Sequence, residues 1–211
     1  MNFISKLFLL LVIIVAALGF YLYKGMYNIA ATSPHNNLTE MMLHETMEMS
    51  VKNQANGIEA PDLSGEKMIN DGFIQYDSMC AMCHGAPGLP ESVLHQGLYP
   101  EPPELYEEDD EWSASELFWL TKNGIKMSGM PAYGPTHSDE EIWAIVAFLQ
   151  VLPNLTESDY KEYMLKNINA DDGHDHVHGT EIEKNMKKLL DNKSVKDKEI
   201  YTHEDGGEHE H

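Results

Sequence analysis

The sequence predicts an all-α protein, in which a small helical domain follows one apolar N-terminal helix. Apolar side chains recur at helical spacing ahead of the two cysteines, at Ile69, Phe73, Tyr76 and Cys80. Two Ser-x-x-Glu capping boxes begin further helices, at Ser113–Glu116 and Ser138–Glu141. No run of residues shows the alternating pattern of a β-strand.

These signals predict the main helices of the domain. The first runs from about Gly65 to Met82, the second ends at Gly124, and the third follows Ser138 and is stopped by Pro153. Residues 85–111 are rich in Gly, Pro and acidic side chains, so we expect them to be irregular.

The chain divides into four segments by composition. They are an N-terminal membrane anchor or signal (1–27), a connector with a short Met- and His-bearing helix (28–61), the helical domain (62–160) and an acidic, His-bearing tail (161–211), which we expect to be largely disordered. Six of the eleven histidines lie in the tail, where spaced imidazoles offer weak metal binding as an alternative to simple solvation: His174, His176, His178, His203, His209 and His211.

An unbroken apolar run from Leu7 to Tyr23 lies between Lys6 and Lys24. This length is at the short end for a membrane-spanning helix and above a typical signal-peptide core. No small-x-small cleavage site follows the run, so we favour an uncleaved anchor over a cleaved signal. The flanking charges are too evenly matched to orient it.

In the connector, Asn37-Leu38-Thr39-Glu40 resembles a capping box and predicts a helix over residues 38–52. This helix would carry Met41, Met42, His44, Met47 and Met49. We expect the methionines to pack on the domain, with a soft-metal (copper) site as the alternative.

The chain is strongly acidic, with 35 acidic against 14 basic residues and a formal net charge of −21. This balance argues against binding nucleic acid or anionic lipid through a basic patch. Within residues 62–160 there are 18 acidic and 3 basic side chains, including the run Glu107–Glu111. The excess is explained either by a solvated surface or by docking to a basic partner.

Both cysteines of the chain lie in Cys80-Ala81-Met82-Cys83-His84, the attachment signature of c-type haem. On a helix these positions share one face, so both thiols can reach the porphyrin edge while His84 points at the iron as proximal ligand. Gly85 then lets the chain leave the helix.

Two weaker interpretations of the motif remain. A structural zinc site usually takes four ligands from two such pairs, and there is no second cysteine pair. A thioredoxin-like dithiol needs a strand–helix context that the sequence lacks.

A sixth iron ligand is expected from the loop Gly124–Gly134, because iron in electron carriers is commonly held by His and Met. We choose Met130, since Gly129 allows close approach of the backbone and Pro131 favours an extended conformation. Met127 is the alternative from the same loop, and His95 and His137 would give bis-histidine ligation.

The order of these features resembles a class I cytochrome c, of the bacterial monohaem type with a membrane anchor. The resemblance covers about residues 64–153 and rests on Cys80-x-x-Cys83-His84 and the Met130-Pro131 loop. It implies that the helix with Gly72 and Phe73 crosses a final helix with Trp143, Ala147 and Phe148. It also implies that a proline carbonyl, from Pro100, Pro102 or Pro103, orients His84, and that Trp112, Trp119 or Tyr133 approaches the haem.

The resemblance further implies one covalent haem c and single-electron transfer, with no small-molecule substrate at the iron. Haem attachment in this family takes place outside the cytoplasm, which places the domain in the periplasm on the bacterial inner membrane. Two alternatives stay open: a haem subunit of a larger membrane oxidoreductase, and a Met/His metal-binding protein with a secondary haem domain. The sequence identifies neither the electron donor and acceptor nor the reduction potential.

Overall fold

The computed structural model describes residues 2–90, 92–107 and 112–167. Most of the acidic run at 107–111 and the tail beyond Asn167 lie outside these residues, as do the predictions made for them. The described part contains helices and connecting loops and no strand, which confirms the all-α prediction. The α-helices are α1 (Phe3–Tyr23), α2 (Asn37–Ala55), α3 (Glu66–Gln75), α4 (Ala81–His84), α5 (Ala114–Asn123), α6 (Asp139–Leu149) and α7 (Glu157–Asn167).

The N-terminal helix α1 is long and apolar enough to cross a membrane, judged by its length and composition. It begins four residues before the apolar run and includes Lys6. None of its side chains is buried, in keeping with a helix whose apolar surface faces lipid.

The predicted helix ahead of the motif is confirmed, with one local change. A π-helical turn at Tyr76–Cys80 joins α3 to α4, so the chain stays helical from Glu66 to His84. Such turns rotate the side chains that follow them relative to a regular α-helix. The side chains of Cys80, Cys83 and His84 therefore point in different directions from those that a regular continuation of α3 would give them.

Helices α3 and α6 cross at Gly72. A Cβ atom on Gly72 would lie 1.9 Å from the Ala144 carbonyl oxygen, so only glycine permits this approach. Phe73 packs edge-on against Phe148, with ring centroids 5.5 Å apart. The expected crossing of these two helices is confirmed.

Both Ser-x-x-Glu capping boxes form as predicted. The side chains of Ser113 and Ser138 accept hydrogen bonds at the starts of α5 and α6, and the two glutamates bond back. Gly124 ends α5 as expected, whereas α6 ends at Leu149, before Pro153, which lies in a short 3-10 turn.

Helix α2 differs from its prediction at both ends. Its N-cap is Asn36, whose side chain accepts from the Thr39 amide, so the predicted cap at Asn37 was wrong by one residue. Val51 and Ala55 are buried, and α2 packs against α5. The packed structure therefore extends upstream of residue 62.

The methionines of α2 do not pack as expected. Met41, Met42 and Met49 are each more than half exposed. The helix buries the face with Val51 and Ala55 instead, and of the four only Met47 reaches the interior cavity. The prediction of packing was wrong for the other three.

At the other end of the domain, α7 continues past residue 160 to Asn167. Tyr160 is fully buried, and Tyr163 stacks on Phe73 with centroids 5.2 Å apart. Because α7 completes the aromatic core around α3 and α6, the folded part ends later than the sequence indicated.

Candidate haem site

A cavity of about 680 Å3 lies at the centre of the domain, within the size range of cofactor sites. Its walls come from α2, the segment Met79–His84, the proline-rich loop 100–105, α5, the Met130 loop and α6. The predicted site residues Cys80, Cys83, His84 and Met130 all line it. The structure thus brings together side chains fifty positions apart in the chain.

The end of the motif helix is held by Tyr76. Its ring is fully buried, and its hydroxyl donates to the Gly85 carbonyl over 2.8 Å. Gly85 has a φ of 68°, and a Cβ there would lie 2.9 Å from the Tyr106 ring. The predicted need for glycine after His84 is met, and Tyr76 gains a positioning role that sequence reasoning had not assigned.

The proximal candidate His84 is oriented by the backbone. Its Nδ1 donates to the Pro103 carbonyl oxygen over 2.8 Å. This bond places the proton on Nδ1 and leaves the Nε2 lone pair for a metal. Burial lowers the pKa of His84, which also favours the neutral, ligating imidazole. Of the three prolines left open by the sequence, Pro103 provides the carbonyl.

The two thiols are kept neutral. Burial raises the pKa of the Cys80 thiol to about 12 and also raises that of Cys83. A redox-active dithiol instead needs a lowered pKa to supply the thiolate nucleophile. The electrostatics of the site therefore disfavour the thioredoxin-like interpretation.

The loop Gly124–Gly134 places the two candidate methionines in different environments. Met130 lines the cavity, and its backbone is held by bonds from its amide to Ser128 Oγ and from the Ile125 amide to its carbonyl. Met127 is 94% exposed, in a left-handed conformation with φ of 65°. Gly129 allows the close approach expected of it, because a Cβ there would lie 2.6 Å from Leu98.

The histidine alternatives lie elsewhere. His95 is 4% exposed and outside the cavity lining, with Nδ1 bonded to the Cys83 carbonyl and Nε2 3.2 Å from Glu101. His137 pairs with Thr136 and packs edge-on against Tyr133. Neither ring lines the cavity, so His95 and His137 are not placed to ligate an iron bound there.

Among the aromatic candidates, Trp112 and Tyr133 line the cavity and Trp119 does not. The Tyr133 hydroxyl lies near the Cys80 thiol, and the pKa of Tyr133 is raised by burial and by this neighbour. Sequence reasoning did not place α2 at the site, although His44, Met47 and Glu48 form part of its wall. Within the described residues no group of three His, Cys, Asp or Glu side chains is arranged to hold a metal ion.

The donor set suits a covalently held haem. Two neutral thiols, an imidazole with a free Nε2 and a thioether sulfur face one cavity whose other walls are mainly apolar. A bound haem would be enclosed by Leu117, Leu120, Ile145 and Leu149.

Comparison with known families agrees with this arrangement. Residues 67–149 match the family model described as Cytochrome C oxidase, cbb3-type, subunit III. No curated protein matches the chain significantly. The matched family implies covalently bound haem c and an electron-transfer role, as a carrier or as an oxidase subunit. Residues 67–149 therefore form a c-type cytochrome domain of class I-like type, and together with the apolar helix α1 the chain fits a membrane-anchored monohaem cytochrome c.

Proposed function

We propose that one haem c occupies the cavity, with thioether bonds to Cys80 and Cys83, His84 as the proximal iron ligand and Met130 as the distal one. The observation that carries this assignment is the 2.8 Å bond from His84 Nδ1 to Pro103, in the cavity that Met130 also lines. The four segments predicted from the sequence would then serve as membrane anchor, connector, cytochrome domain and tail.

With His84 and Met130 both holding the iron, a bound haem c would have no place for a substrate and would supply the reversible exchange of one electron. The protein binds the haem covalently, holds the imidazole in one tautomer and excludes water with apolar walls. Methionine ligation raises the reduction potential relative to bis-histidine ligation. These contributions suit an electron carrier between respiratory partners rather than an enzyme acting at the iron.

The location follows from the same assignment. The resemblance to cytochromes c, in which haem is attached outside the cytoplasm, supports a cytoplasmic N-terminus and an external cytochrome domain. In a diderm bacterium this is the periplasmic face of the inner membrane, with α1 as the single span. The acidic balance of residues 62–160 supports redox partners with basic docking surfaces.

A second candidate is a haem subunit of a larger membrane oxidoreductase. It is favoured by the description of the matched family, which names an oxidase subunit. The apolar helix α1 lacks small-x-x-x-small packing motifs, which favours the free-standing carrier. Purification from native membranes in mild detergent distinguishes the two, since a stoichiometric catalytic partner would favour the complex.

The assignment is tested by optical spectra of haem-matured protein, oxidised and reduced. We expect a sharp reduced α band of c-type haem and a weak far-red band in the oxidised protein from the Met–iron bond. Met130→Ala should abolish the far-red band, and the matched variant Met127→Ala should keep it. The reverse result would overturn the choice of ligand, and absence of a c-type spectrum would overturn the proposal.

A further inference from the structure

Helix α2 forms a wall of the cavity although it lies outside the matched family range. His44, Met47 and Glu48 line the cavity, and Val51 and Ala55 on the same side of the helix are buried. Packing against α5 holds this wall in place, and beyond the helix Ser115 Oγ donates to the Ile58 carbonyl over 2.8 Å. The buried side chains of Val51 and Ala55 and the hydrogen bond to Ile58 therefore hold the C-terminal half of α2 beside the cavity.

Three ionisable side chains lie one helical turn apart on α2, and we call them the α2 charge row: His44, Glu48 and Lys52. The first two line the cavity, and Lys52 lies next to them. Glu48 Oε1 lies 2.9 Å from His44 Nε2, and Glu48 Oε2 lies 2.9 Å from Lys52 Nζ. The Lys52 ammonium lowers the pKa of the Glu48 carboxyl, so Glu48 is ionised at neutral pH. Lys52 Nζ also lies 5.7 Å from the centroid of the Trp112 ring, another cavity residue.

Basic groups are scarce around this cavity. Among the described residues that line it, none is Lys or Arg. Residues 62–160 contain only 3 basic side chains, so the cation that α2 supplies beside the cavity has few counterparts in the cytochrome domain. An anion near this wall could pair with the Lys52 ammonium and accept a hydrogen bond from the imidazole of His44.

A haem held by Cys80 and Cys83 presents such anions. The thioether bonds fix the vinyl edge of the porphyrin, and the two propionates leave the opposite edge. Helix α2 packs on α5, whereas α4 packs on the π-helical turn and the short 3-10 turn His95–Gly97. The charge row is thus on a wall separate from the segment that holds the vinyl edge.

We infer that the α2 charge row receives the haem propionates and sets the reduction potential of the iron by its charges. This inference rests on the proposed haem assignment. A cation beside the propionates offsets their negative charge and stabilises the reduced iron, so Lys52 raises the potential. Glu48 adds negative charge at the same place and lowers the potential.

The two signs give a sharp test with full-length, haem-matured protein in detergent. Midpoint potentials are measured by optical redox titration for the wild type, Lys52→Gln and Glu48→Gln. We expect the potential to fall in Lys52→Gln and to rise in Glu48→Gln. Both shifts should shrink as the salt concentration is raised, because these groups are partly exposed.

Lys67→Gln is the matched control. Lys67 forms the same kind of i,i+4 pair with Asp71 on α3, at 2.6 Å. Neither member of this pair lines the cavity, whereas Glu48, the partner of Lys52, does. The midpoint potential of the Lys67→Gln variant should equal that of the wild type. Lys52→Arg conserves the charge and should restore the wild-type potential, which separates an electrostatic effect from damage to α2.

Unchanged potentials in Lys52→Gln and Glu48→Gln, or shifts of the same sign in both, would overturn the inference. If those variants also showed a normal c-type spectrum, only the role of the α2 charge row would be wrong, and the haem assignment would still hold. Failure of the haem assignment is seen separately, as absence of a c-type spectrum in the wild type.

Discussion

His84 and Pro103 are joined by a hydrogen bond of 2.8 Å across nineteen positions of the chain. The donor is Nδ1 of the imidazole and the acceptor is a backbone carbonyl in the irregular loop after the motif. The loop therefore controls the direction of the ring, and the cavity is complete only when this loop is in place. A change in the path of this loop would therefore turn the imidazole of His84, the proposed iron ligand.

Pro103→Ala should keep the carbonyl but loosen the loop that presents it. If the bond to His84 weakens by about 1 kcal/mol, exchange of the Nδ1 proton with solvent becomes roughly fivefold faster. The rate is measured by NMR on the reduced haem protein, where the axial imidazole signals are resolved. Pro102→Ala, one position away in the same loop, is the control and should exchange more slowly than Pro103→Ala. Equal rates in the two variants would argue against a specific role for Pro103.

Gly72→Ala should destabilise the domain strongly. The new methyl group would lie 1.9 Å from the Ala144 carbonyl oxygen and 2.9 Å from the Phe148 Cβ, so α3 and α6 must move apart. Overpacking of this kind costs about 3 kcal/mol. The free energy of unfolding is obtained from denaturant titration of the full-length protein in detergent. Gly97→Ala is the control, because nothing lies within 4 Å of a Cβ at that position. Equal stability of the two variants would contradict the close crossing.

Local signals in the sequence predicted the helices and the motif, but not how distant segments meet. The starts of α5 and α6 were predictable because Ser113 and Ser138 form bonds within four residues. The choice of Pro103 was not, since it depends on the path of an irregular loop that has no periodic pattern. The packing of α2 was also not predictable, because only Val51 and Ala55 are buried and the more prominent methionines before them are exposed.

The pair formed by Asp77 and Tyr160 makes stability depend on pH. The Tyr160 hydroxyl donates to Asp77 Oδ1 over 2.7 Å, and burial raises the pKa of the Asp77 carboxyl above its ordinary value of 3.8. The folded protein then holds this proton more tightly than the unfolded chain does. Stability should therefore fall as pH rises from about 4 to the raised pKa and be constant above it.

Asp77→Asn removes that dependence while keeping an oxygen that can accept from Tyr160. Inside the window the wild type loses stability as pH rises and the variant does not. The free energy of unfolding of the variant minus that of the wild type should therefore grow by up to about 1.4 kcal/mol for each pH unit. The measurement is denaturant unfolding at several pH values. Tyr160→Phe, which deletes the donor, should extend the window to higher pH, because the bond from Tyr160 lowers the pKa of Asp77. Parallel stability profiles for wild type and Asp77→Asn would show that Asp77 titrates normally.

Association with a basic redox partner should weaken as salt is raised. Residues 62–160 carry 18 acidic against 3 basic side chains, and haem propionates would add to the negative charge. Between ionic strengths of about 0.01 and 1 M the Debye length shrinks from about 30 to 3 Å, which screens attraction between approaching surfaces. The second-order rate of electron transfer to a basic one-electron acceptor protein, followed by stopped flow, should fall by about tenfold or more. An acidic acceptor of similar potential provides the control, since its rate should rise with salt as repulsion is screened. A rate that does not depend on salt with either acceptor would show that the acidic surface serves solubility alone.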